Sequence, residues 1–279
     1  MIYEVLPIWE KGEYNGKKKD FEPTLAVYAL EGKKKRPTVL VCPGGGYSFT
    51  SQREAEPIAM RFLKEGYNAF ILYYSCEPNR HPQPRLDATR AMCMIRDNCE
   101  KWHVDPEKIA VIGFSAGGHL ATSLCTCYML PELQNIKGME KGKNRPDLLI
   151  SCYPVITSGE KAHRGSFDNL CGDDKALADS LSLEKCVHDD MPPAFIWHTF
   201  TDGGVPVENS LLLASAMKEH NVPFELHIFP NGCHGLSTVD AETCGAESCD
   251  PHTARWLDLC MEWMKIYFET PAFDPELCR

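Results

Sequence analysis

Eight apolar runs of strand length, separated by stretches of helical period, restrict what this 279-residue chain can fold into. They lie near Tyr3 to Trp9, Leu25 to Leu30, Thr38 to Cys42, Asn68 to Tyr74, Ile109 to Gly113, Leu148 to Cys152, Ala194 to His198 and Phe224 to Phe229. Such alternation is the pattern of a mostly parallel sheet flanked by helices, an α/β architecture. The first two runs are joined by a polar Gly and Lys segment, so an antiparallel meander is expected to lead into the parallel part.

Helical spacing fills the intervals. Ile58 pairs with Phe62 and Ala59 with Leu63 at i, i+4, and Gly66 supplies a stop. The sets Ala88, Ala91, Met92, Ile95, Cys99, Trp102 and Trp256, Cys260, Trp263, Tyr267 read as core-facing stripes. The piece from Tyr153 to Pro193 is longer than ordinary connections and is expected to form a small lid-like insertion between strands six and seven. No repeat or low-complexity linker divides the chain, so one domain over residues 1–279 is expected.

Composition excludes several classes of partner. The net charge of −10 repels phosphate backbones and anionic lipid, so nucleic acid is not an expected partner. The longest apolar candidates, such as Ala69 to Tyr74, fall far short of the roughly 18 residues a membrane span needs. The start carries Glu4 within its apolar stretch and no signal-peptide pattern, which predicts a cytoplasmic protein whose 14 cysteines are reduced thiols acting as small hydrophobes. Cys233, His234, Cys244, Cys249 and His252 gather in one stretch, but no C-x-x-C or H-E-x-x-H spacing occurs, and no metal or cofactor is expected.

The sharpest local signal is Val111-Ile112-Gly113-Phe114-Ser115-Ala116-Gly117-Gly118-His119, a strand running through G-x-S-x-G into a helical pattern. That is a nucleophile elbow: the turn is too tight for side chains at 113 and 117, and it presents the serine hydroxyl at a helix N-terminus. Upstream, the third strand ends in Cys42-Pro43-Gly44-Gly45-Gly46-Tyr47. No nucleotide-binding pattern accompanies these glycines, and their position assigns an oxyanion hole to the N–H groups of Gly45, Gly46 and Ala116.

A serine nucleophile needs a base, and the base a carboxylate, here in the order Ser, Asp, His. Asp202 follows the seventh strand and His234 the eighth, so with Ser115 all three fall at one sheet edge, where open α/β sheets place their sites. Asp173, Asp174, Asp189 and Asp190 are alternative carboxylates that follow no strand as directly. His119, one turn into the helix, reads as a packing residue, and His163 in the long insertion has no reading.

With these motifs in place the chain resembles the α/β-hydrolase superfamily over nearly its whole length, and within it the small esterases that include acetyl xylan and feruloyl esterases. The matching segments are CPGGGY at 42–47, GFSAGGH at 113–119, PPAFIWHTFTDGGVPVENS at 192–210 and ELHIFPNGCHG at 225–235. The resemblance implies Ser115, Asp202 and His234 as triad and a small-molecule ester as substrate, acetylated sugar above all. The hormone-sensitive-lipase group is similar but usually has His where this chain has Pro43, and it carries a larger N-terminal cap. A prolyl-oligopeptidase-like peptidase and a non-catalytic binding protein on the same scaffold are the alternatives.

Overall fold

The computed structural model describes residues 1–18, 20–136 and 139–269. Its strands are β1 (Ile2–Pro7), β2 (Thr24–Ala29), β3 (Arg36–Cys42), β4 (Asn68–Tyr73), β5 (Val104–Phe114), β6 (Leu148–Cys152), β7 (Ala194–Thr199) and β8 (Phe224–Phe229). All eight apolar runs are therefore strands of one sheet, ordered β1-β2-β4-β3-β5-β6-β7-β8. β1 and β2 pair antiparallel as expected, and β2 continues antiparallel onto β4, leaving β3 inside between β4 and β5. From β4 to β8 every pairing is parallel, so the strands' C-terminal ends share one edge.

Helices cover both faces and make two cores. Ala88, Met92 and Ile95 of the helix Gln83–Asp97 and Leu120 and Leu124 of Ala116–Thr126 join one. Phe62 of Glu56–Lys64 and Trp256, Trp263 and Met264 of Trp256–Glu269 join the other. The stripe from Ala88 to Trp102 is helical only as far as Asp97. There Asn98 closes the helix with its N–H on Ile95, and Cys99 and Trp102 reach the same core from the turns that follow. Among the described cysteines, Cys42, Cys125, Cys152 and Cys260 are wholly buried free thiols, while Cys233 and Cys249 are exposed. No helix among the described residues is long and apolar enough to cross a membrane.

The insertion after β6 carries the helices Arg164–Cys171 and Lys175–Ser180. Its Val155, Ile156, Phe167, Leu170 and Leu183 are buried in the first core. The wholly buried Asn209 pins it by accepting from the N–H groups of Ile156 and Thr157 and donating to the carbonyl of Lys161. Asn169 then donates to the carbonyl of Gly46 at 2.9 Å, docking the insertion on the glycine loop after β3.

Candidate active site

β5 ends at Phe114, and Ser115 breaks its extended path with φ 54° and ψ −120°, before the helix Ala116–Thr126 begins. A non-glycine residue held there is strained, and such strain persists only where the surroundings enforce it. They do so on three sides: the N–H of Ser115 donates to Cys152 at the end of β6, and its carbonyl accepts from His119 and Val155. A Cβ on Gly113 would lie 2.1 Å from the carbonyl oxygen of Gly117, and one on Gly117 would lie 2.1 Å from that of Cys42. Only glycine lets strand, helix and neighbouring strand approach so closely.

Asp202 and His234 come to this hydroxyl from the loops after β7 and β8. His234 Nδ1 lies 2.7 Å from Asp202 Oδ2, and Nε2 lies 2.7 Å from Ser115 Oγ. An ionised carboxylate has no proton to donate, so the ring hydrogen sits on Nδ1 and Nε2 is left to accept from the serine. Tyr153, at the end of β6, meets the His234 ring edge to face at 5.2 Å. Two of the four alternative carboxylates are engaged elsewhere: Asp174 caps the helix Lys175–Ser180, and Asp189 pairs with His220.

The Asp202 side chain is only 1% exposed and receives four donors. Oδ1 accepts from the N–H groups of Gly204 and Val205, while Oδ2 accepts from His234 and lies 3.2 Å from His198 Nε2. Burial alone would raise its pKa, but the hydrogen bonds from His198 and His234 outweigh it and hold the carboxyl below its ordinary value. His198 is a residue the sequence reading missed. It is fully buried, with Nδ1 accepting from Ser210 and Nε2 facing the Val205 carbonyl and Asp202. The available signal was a histidine closing the apolar strand AFIWHT four residues before the aspartate.

Glu54 was also missed. Buried in the turn after the glycine loop, it accepts from the N–H of Gly44 through Oε2 and from the Tyr153 hydroxyl through Oε1. That same hydroxyl accepts from the N–H of Ser237. One carboxylate thus ties the glycine loop to β6 and to the chain just past His234. The N–H groups of Gly45, Gly46 and Ala116, by contrast, donate to no protein acceptor among the described residues. Gly45 and Gly46 have φ of +120° and +64°, and a Cβ on Gly45 would strike the carbonyl of Phe49 at 2.1 Å.

His119 is a packing residue, as its sequence position suggested. Its Nδ1 accepts from the Tyr47 hydroxyl and its Nε2 donates to the carbonyl of Leu181. Burial pushes its pKa down to about 4. Between the ordinary value of 6.5 and 4 the unfolded chain binds a proton that the folded one refuses. This contribution to stability is therefore full above pH 6.5 and lost as pH falls toward 4, by on the order of 3 kcal/mol. Urea midpoints at pH 7, 5.5 and 4 should show a smaller acid loss for His119→Gln than for wild type, and equal losses would refute the assignment. His81, pushed to about 4 by burial, adds in the same direction in both proteins.

A family model, BD-FAE, matches residues 25–217. Over 248 residues, 84% of this chain and 38% of the relative, the sequence is 41% identical to endo-1,4-beta-xylanase B of Butyrivibrio fibrisolvens. It is 31% identical over 202 residues, 70% of this chain and 40% of the relative, to an acetylxylan esterase of Xylanibacter ruminicola. The chain thus spans about two fifths of the length of these curated relatives. The crystal structure of an acetyl ester-xyloside bifunctional hydrolase from Caldicellulosiruptor lactoaceticus is similar with a TM-score of 0.86 and 40% identity, covering 95% of this chain and 96% of that one. From the matched model and this shared fold, the chain belongs to the BD-FAE family of α/β-hydrolase-fold proteins.

Proposed function

We propose that this protein is a serine carboxylic-ester hydrolase that removes small acyl groups, acetyl first among them, from carbohydrate or xylo-oligosaccharide esters. The observation that carries the reading is the hydrogen-bonded line from Asp202 through His234 to Ser115, beside unpaired amide N–H groups of Gly45, Gly46 and Ala116. In the first half-reaction His234 Nε2 takes the hydroxyl proton as Ser115 Oγ attacks the ester carbonyl. Asp202 holds the tautomer and stabilises the imidazolium. The amide donors receive the charge that develops on the carbonyl oxygen, and one such donor is worth on the order of 3 kcal/mol of barrier. His234 then protonates the departing alcohol, and water repeats the attack on the acyl-enzyme.

The sugar part of the reading draws on the relatives, one called an acetylxylan esterase and one an acetyl ester-xyloside hydrolase. Its test is a substrate comparison. Acetate release from acetylated xylo-oligosaccharides should proceed readily, and rates on nitrophenyl esters should decline from acetyl through butyryl to longer chains. Rates that climb with chain length, or no release of acetate from the oligosaccharides, would contradict it.

A further inference from the structure

We propose that the alcohol half of the ester is bound by a rim made of His163, Phe49 and Phe200, built to take a pyranose ring. The inference rests on the serine-esterase reading above and deepens it. The leaving alcohol must receive its proton from His234 Nε2, so it has to lie on the His234 side of Ser115. Three chain segments come close to the triad: the glycine loop after β3, whose Gly44 Cβ position lies 3.0 Å from Ser115 Cβ, the loop from β7 that carries Asp202, and the first turn of the helix Arg164–Cys171, whose Ser166 Oγ lies 3.9 Å from the Cβ position of Gly46.

The first two segments each present an unburied phenyl group. Phe49 and Phe200 are 59% and 68% exposed, and they are the described phenylalanines most open to water. Full burial of such a side chain is worth roughly 1.5–3 kcal/mol, the larger part of which both forgo. Neither is on a loose segment. The backbone of Phe49 packs against Gly45, and a Cβ placed there would lie 3.1 Å from its ring. The N–H of Phe200 donates to Phe229 at 2.7 Å, and the adjoining Thr201 hydroxyl bonds the carbonyl of Gly232 in the His234 loop. Two phenylalanines from distant parts of the sequence thereby have their backbones fixed, one on the glycine loop and one on the loop that carries Asp202.

The third segment adds a directed donor. His163 is the N-cap of its helix: Nδ1 accepts from the N–H of Ser166 at 3.3 Å and faces its Oγ at 2.8 Å. With Nδ1 accepting, the ring hydrogen is on Nε2, which has no protein partner among the described residues. The ring lies near enough to His234 and Asp202 to feel the charge of both, and burial, with the repulsion of His234, lowers its pKa so that it stays a neutral donor. Ser166 Oγ is 3.9 Å from the Cβ position of Gly46, which places this turn over the hole. A pyranose has an apolar C–H face and a hydroxyl edge. Aromatic faces suit the first and an uncharged N–H the second.

The test compares kcat/KM on an acetylated xylo-oligosaccharide with kcat/KM on ethyl acetate, whose alcohol has neither ring nor further hydroxyl. Phe200→Ala removes one plate, and His163→Asn keeps an N-cap acceptor while deleting the Nε2 donor. Each variant should lower the ratio of the two values about tenfold, the scale of one lost neutral contact, chiefly through KM for the sugar ester. A ratio unchanged in both variants, or parallel loss on both substrates, overturns the rim and leaves the triad reading standing. Ser115→Ala is the control on that reading: undiminished hydrolysis by it would remove triad and rim together.

Discussion

Ser115→Ala is expected to lose ester hydrolysis by on the order of 10⁴- to 10⁶-fold in kcat, with a folded protein and little change in thermal midpoint. The size follows from what remains. Without Oγ no acyl-enzyme can form, yet the N–H groups of Gly45, Gly46 and Ala116 and the His234–Asp202 pair persist, so a slow attack by water survives. Folding should be spared because the strained turn is held by backbone bonds from Ser115 to Cys152, His119 and Val155, none of which uses the hydroxyl. Initial rates on nitrophenyl acetate, together with intact mass after a fluorophosphonate, give the answer. Wild type should gain one adduct and the variant none. A variant within tenfold of wild type would remove Ser115 from the reaction.

The second large effect is expected at Asp202, where Asn should cost about 10³–10⁴ in kcat. The four donors around the carboxylate make the reason specific. An amide offers one acceptor oxygen, so its NH₂ must confront either the Gly204 and Val205 N–H groups or the two histidines. In the second arrangement His234 is driven to carry its proton on Nε2, where it can no longer accept from Ser115. KM for a small ester should move little, because Asp202 does not face substrate. A kcat within tenfold of wild type would remove the orienting role from Asp202.

Both outcomes bear on residues legible before any coordinates, and the reason is local. A nucleophile elbow has to be written within five residues, because the collision of a Cβ at 113 or 117 with backbone is a property of the turn itself. The inner strands β3, β4, β6 and β7 were legible because they are buried on both faces for most of their length, and β1 because it pairs at an edge in period two, as its alternating exposure shows. Where periodicity misled, at Cys99 and Trp102, the competing fact was a helix stop at Asn98 followed by turns that still face the core.

What lay beyond the sequence depends on partners far apart in the chain. Glu54 reads as one more acidic residue until Gly44, Tyr153 and, through it, Ser237 converge on it. His198 closes an apolar strand without announcing that its imidazole will meet Asp202. His163 carried no reading until the insertion docked through Asn169 and Asn209 and brought its ring within electrostatic reach of His234 and Asp202. The chain's own order determined the sheet, the elbow and the succession of serine, aspartate and histidine, since these rest on short-range sterics and on which faces are apolar. Tertiary packing decided which buried polar atoms would find each other. A hydrogen bond between residues 99 or 119 positions apart has no local steric signature, and it comes into being only when the sheet brings their strand ends to one edge.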